Sequence, residues 1–98
     1  GYHVVTASSG EEALTYYSRY GHEIDLVIVD MVMPKMDGAE CFRKLKEIDP
    51  NVRAILSTGY AMSDRVQEVL NSGMKGFVQK PYSLDQLSAA VHRVIAGA

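Results

Sequence analysis

The sequence predicts an α/β domain built on a parallel sheet, and two observations carry that expectation. Helical and strand patterns alternate along the whole chain, as they do when each strand is followed by a crossover helix. One strand candidate, Leu26-Val27-Ile28-Val29, is apolar at four consecutive positions. A strand with one wet face alternates polar and apolar residues. An unbroken aliphatic run therefore reads as a strand buried on both faces, which a parallel sheet provides. The run ends on Asp30, and the carboxyl ends of parallel strands are where such sheets place their chemistry.

The elements follow in order. Tyr2–Ala7 is the first strand candidate. Ser9-Gly10-Glu11-Glu12 matches a capping box, with Ser9 as N-cap and Glu12 at the third helical position. A helix to about Tyr20 is expected, with Ala13, Leu14, Tyr17 and Tyr20 inward and Gly21 closing it. Leu26–Asp30 is the second strand. The next helix begins near Ala39, buries Phe42, Leu45 and Ile48, and stops at Asp49-Pro50. Ala54-Ile55-Leu56-Ser57-Thr58 is the third strand, and the loop Gly59-Tyr60-Ala61-Met62 leads to a helix over Ser63–Asn71. Val66, Val69 and Leu70 form its buried side, and Ser72-Gly73 ends it. Gly76-Phe77-Val78-Gln79 is a short fourth strand, followed by Lys80-Pro81. Ser83-Leu84-Asp85-Gln86 is a second capping box, opening a last helix that buries Leu84, Leu87, Val91, Val94 and Ile95.

Composition narrows the function classes. The 98 residues make one small domain, 1–98, with an ordinary apolar fraction. Net charge is −2 and no Lys/Arg stripe occurs, which argues against nucleic-acid or membrane-surface binding. Cys41 is the single cysteine and has no partner for an internal disulfide. His3, His22 and His92 are scattered, and no Cys/His spacing fits zinc. No apolar run reaches transmembrane length and no signal peptide opens the chain, so the expected setting is cytoplasmic. The chain opens directly on a strand, as a fragment would. Met31, Met33 and Met36 read as loop packing.

Three strands end in a polar residue of distinct chemistry: Asp30, Thr58 and Lys80. Parallel strands bring these ends to one rim. A carboxylate can accept a phosphoryl group as an acyl phosphate, while an ammonium and a hydroxyl hold its oxygens and a divalent metal neutralises the remaining charge. Taken singly, Asp30 is no more than a strand-end carboxylate capping a loop. The three residues together, with the loop motifs, favour the phosphoacceptor.

The combination of Asp30, Met33-Pro34, Asp37-Gly38, Ser57-Thr58-Gly59 and Lys80-Pro81, in that order, resembles the receiver (response regulatory) domain of two-component signal transduction. The phrases "ILSTGY" and "GFVQKPYSLDQL" are similar to receivers of hybrid sensor histidine kinases. The resemblance implies a doubly wound, flavodoxin-like sheet. It implies Asp30 as phosphoryl acceptor, Thr58 as the hydroxyl that turns toward the phosphoryl group, Lys80 as its ammonium partner and the Gly59 N–H as a further contact. Phe77 takes the place of the aromatic switch. Lys80–Pro81 is expected to be cis. Mg2+ is the expected cofactor, with Asp30 and the Val32 carbonyl as ligands. A histidine kinase or histidine phosphotransfer domain is the expected partner.

The chain departs from that family at its start. The residues before Asp30 match the family's second strand and second helix, so the first strand, its acidic metal-binding pair and the first helix have no counterpart. Asp25 lies roughly 16 Å from Asp30 at about 3.3 Å per strand residue. Glu11 and Glu12 read as helix caps. Asp37-Gly38 reads as turn chemistry. Weak magnesium binding is therefore expected. With the family order 2-1-3-4-5, the gap is also expected to bare one sheet face and leave unpaired edges, inviting a homodimer or strand exchange. Two further readings stand beside the phosphoacceptor: a receiver-shaped interaction module that is not phosphorylated, and a haloacid-dehalogenase-type phosphatase. The latter needs a second aspartate where Val32 stands, which counts against it.

Overall fold

Four strands and four helices alternate along the described residues, which are 2–7, 9–32, 35–59 and 63–97 of a computed structural model. They are β1 (Val4–Ala7), α1 (Gly10–Tyr20), a 3-10 turn (Gly21–Glu23), β2 (Leu26–Asp30), α2 (Gly38–Ile48), β3 (Ala54–Thr58), α3 (Asp64–Asn71), β4 (Gly76–Gln79) and α4 (Leu84–Gly97). Met33-Pro34 and the loop residues Tyr60, Ala61 and Met62 lie outside the described residues.

Local chemistry sets the helix starts. Ser9 accepts from the Glu12 N–H at 3.1 Å, and Ser63 from the Val66 N–H at 3.3 Å. The second capping box closes in both directions: Gln86 N–H donates to Ser83 Oγ at 3.1 Å, and Ser83 N–H to Gln86 Oε1 at 2.8 Å. Each such cap satisfies helix N–H groups that have no partner within the helix.

All strand pairs are parallel and the order is β1-β2-β3-β4. Sequential crossovers then put α1, α2 and α3 on one face. There Ala13, Tyr17, Cys41, Phe42, Leu45, Val66 and Val69 pack on Val27, Val29, Ala54 and Leu56. On the other face α4 lays Ala90, Val91 and Val94 over Leu26, Ile28, Ile55 and Val78.

The expected gap is absent. β1 pairs directly with β2, from Val4↔Leu26 to Ala7↔Val29, because a buried strand cannot leave its N–H and C=O groups unpaired. The expected bare face is also absent: α4 covers it, and Leu26, Ile28 and Ile55 are buried. The premise for dimerisation through an uncovered face is thus not met, and β1 and β4 are the sheet's edges.

Three expectations about helix ends are corrected, and a fourth holds with a different geometry. Tyr20 is exposed and stacks on Tyr16, with ring centroids 4.9 Å apart. Ile48 is exposed at the end of α2, where the sheet no longer lies beneath it. Leu84, at the first position of α4, is 77% exposed. Gly21 closes α1 as its C-cap, as expected, in a right-handed conformation (φ −54) that leads into the 3-10 turn. Its need for no side chain comes from Tyr17, whose ring would lie 2.9 Å from an added Cβ.

Burial also sets the chemistry of two ionisable groups. It pushes the fully buried Cys41 thiol up from 9.0 to about 11, partly offset by nearby Lys44. It raises Tyr17 above the usual phenol range, helped by the hydrogen bond from its hydroxyl to Asp49 Oδ2 at 2.8 Å. An unfolded Cys41 ionises near its ordinary value and the folded one only near 11, so the unfolded state loses its proton first as pH rises. The stabilisation is whole below about pH 9 and is lost as pH climbs through 11. The unfolding free energy from denaturant titration should therefore fall between those limits, by about 1–3 kcal/mol, and Cys41→Ala should flatten part of the fall. A pH-independent difference between the two proteins would contradict this.

Candidate functional site

Asp30 is the last residue of β2, and its side chain is 29% exposed. Its Oδ1 accepts from the Val32 N–H at 3.2 Å, which holds the first turn of the following loop. Its Oδ2 accepts from Lys80 Nζ at 2.5 Å. Lys80 follows β4, its own N–H donates to the Thr58 carbonyl at 2.7 Å, and the Lys80–Pro81 peptide is cis. The ion pair therefore reaches across β3, the strand between β2 and β4. Being partly solvated, it adds little stability; its interest is that it fixes an ammonium on a carboxylate at the rim.

The loop after Asp30 returns to the strand end through a close approach. Gly38 N–H donates to the Met31 carbonyl at 3.0 Å. An added Cβ at Gly38 would lie 2.6 Å from the Asp30 carbonyl oxygen. Asp37, expected as a turn residue, is the N-cap of α2 and accepts from Glu40 N–H at 2.9 Å. Arg65 of α3 also donates to it at 3.1 Å, tying this loop to α3. An acidic residue just before an amphipathic run was the signal for the cap; nothing local pointed to Arg65.

Thr58 ends β3 and is fully buried, and the exposed Gly59 follows it with open space at its Cβ position. Strand alternation sets two groups apart. Ile28, Ile55 and Val78 face α4, so Asp30 and Ser57, paired in register, share that face. Thr58 shares the other face with Phe77, which is half-buried and packs on the α1–α3 core as a diagonal neighbour of Thr58. The rim thus joins Asp30 to Lys80, sets Thr58 and Gly59 at the end of the intervening strand, and leaves Phe77 one layer beneath. The sequence reading passed over Ser57. Its Oγ is buried and has no hydrogen-bond partner among the described residues.

Residues 1–92 match the family described as response regulator receiver domain. The chain belongs to that family. Receiver domains of two-component systems carry similar sequence and a similar flavodoxin-like fold. Sensor kinase CckA of Brucella abortus (strain 2308) is 38% identical over 95 residues, covering 97% of this chain and 10% of that protein. Sporulation initiation phosphotransferase F of Bacillus subtilis (strain 168) is 35% identical over 95 residues, covering 97% of this chain and 75% of that protein. Among solved structures, the CheX–CheY–beryllofluoride–magnesium complex from Borrelia burgdorferi aligns with a TM-score of 0.82 at 35% identity, over 88% of this chain and 64% of that one. The chain thus spans about a tenth of CckA and about three-quarters of the phosphotransferase.

Receiver domains generally bind Mg2+. The donor set here does not make a tight site for it. Among the described residues no group of three or more His, Cys, Asp or Glu side chains is placed to hold a metal. Asp30 is the carboxylate at the end of β2, and one of its oxygens already accepts from Lys80. A hard dication wants several oxygen ligands.

Proposed function

We propose that this receiver domain accepts a phosphoryl group on Asp30 from a histidine kinase or histidine phosphotransfer domain. The observation that carries the reading is the Lys80 ammonium held 2.5 Å from the Asp30 carboxylate, at a rim shared with Thr58 and Gly59. A carboxylate oxygen of Asp30 attacks phosphorus, the phosphorus–nitrogen bond of the donor's phosphohistidine breaks, and the imidazole leaves with the electron pair. The acyl phosphate sets new acceptor oxygens beside Lys80, which exchanges a carboxylate partner for a phosphoryl one. Thr58 turns toward the same group, and Phe77 follows into the space beside it. These differential contacts bias a pre-existing equilibrium, read out on α3, β4 and α4. The same reading sets the domain in the cytoplasm as part of a hybrid histidine kinase, supported by its similarity to CckA. No helix among the described residues is long and apolar enough to cross a membrane. Mg2+ is the proposed cofactor, bound weakly through Asp30 and the Val32 carbonyl.

The lack of a metal-holding acidic cluster among the described residues favours a second reading, a receiver-shaped interaction module that is not phosphorylated. One experiment separates them. Acetyl phosphate or beryllofluoride with Mg2+ should move the amide resonances of residues 30, 58–59 and 77–80 in the wild type and leave Asp30→Asn unmoved. A wild type that stays silent up to about 10 mM Mg2+ leaves the second reading standing. Saturation well below about 1 mM Mg2+ would overturn the weak metal site.

A further inference from the structure

Ser57 has a buried hydroxyl with no partner among the described residues and is 2% exposed. An orphaned buried hydroxyl costs stability and calls for a reason. Its placement supplies one. Ser57 pairs with Asp30 on one side and Val78 on the other, and all three face α4. Lys80 lies two residues beyond Val78 and reaches Asp30 across β3. The ion pair therefore crosses the end of β3 on the sheet face that Ser57 occupies. In the unmodified state the ammonium donates to Asp30 Oδ2, and the Ser57 hydroxyl has no hydrogen-bond partner among the described residues.

We propose that Ser57 is a positioning residue that seats the Lys80 ammonium once Asp30 carries a phosphoryl group; this rests on Asp30 being the acceptor. When one Asp30 oxygen becomes bonded to phosphorus, the charge that held Lys80 moves outward to the phosphoryl oxygens. The ammonium has three donors. One turns to a phosphoryl oxygen, and the reoriented ammonium directs a second at Ser57 Oγ as acceptor. The hydroxyl unsatisfied before modification is satisfied after it, so its cost falls on the unmodified state and favours the modified one. Ser57 touches no phosphoryl atom and acts through Lys80.

Ser57→Ala deletes the hydroxyl alone and tests this in the full chain. Removing an unsatisfied buried group should raise the denaturant midpoint of the unmodified protein, while beryllofluoride affinity and acyl-phosphate lifetime should fall by about tenfold, the worth of one hydrogen bond to a charged group. A merely structural serine would not give those two changes in opposite directions. Unchanged or tighter beryllofluoride binding by Ser57→Ala overturns the proposal while leaving Asp30 as acceptor. A lowered midpoint does the same. A wild type that binds no beryllofluoride, like the Asp30→Asn control, removes the acceptor reading and the Ser57 proposal with it.

Discussion

Phe42→Ala is expected to remove about 3–5 kcal/mol of stability. Phe42 is 1% exposed on α2, in the core cluster that joins α1, α2 and α3 to the sheet. Truncation deletes the ring and leaves a cavity that the surrounding backbone cannot fully collapse. A domain of this size has in total about 5–15 kcal/mol, so the variant should populate unfolded chain at ambient temperature. Urea denaturation followed by circular dichroism checks it, and a loss below about 1 kcal/mol would mean the site repacks freely. The effect reaches the rim as well, because α2 starts at Gly38, beside Asp30.

Gly38→Ala is the second large effect, and here two forces oppose. Helix propensity alone favours alanine by about 1 kcal/mol. The added Cβ would stand 2.6 Å from the Asp30 carbonyl oxygen and 3.1 Å from Met31 Cα. Both are backbone atoms that no rotamer change can move aside, so the clash decides the sign. A net loss of about 1–3 kcal/mol is expected, together with displaced amide resonances at Asp30 and Val32 and a weaker response to beryllofluoride. A raised unfolding midpoint would show that the loop yields and that propensity wins.

Legibility followed the range of the interactions. Ser9, Ser63 and the Ser83–Gln86 box lie within a few residues of what they cap, and a sequence exposes such short-range chemistry directly. The strand Leu26–Asp30 was plain because four adjacent apolar positions cannot all be buried unless both faces are covered. Periodicity failed where it had to. It assigns a face to Tyr20, Ile48 and Leu84 but cannot say where the underlying sheet ends, and all three are exposed. Strand neighbours were also beyond it: the family order implied a gap between β1 and β2, yet backbone pairing closes them together. At the site, strand-end chemistry pointed to Asp30 and Lys80. Ser57 carried a weak signal, a hydroxyl within an otherwise apolar strand interior, which only the crossing lysine turns into a question.

The strand order has a kinetic consequence. Each strand lies beside the one that precedes it in the chain, so no crossover spans more than one helix, and closure entropy grows only slowly with loop length. Low sequence separation between contacting segments favours fast folding. A nascent chain can dock each βα unit on its predecessor as it emerges. α4 alone must wait, because the residues it covers come from β2, β3 and β4 together. α4 is thus the helix that locks these strands together.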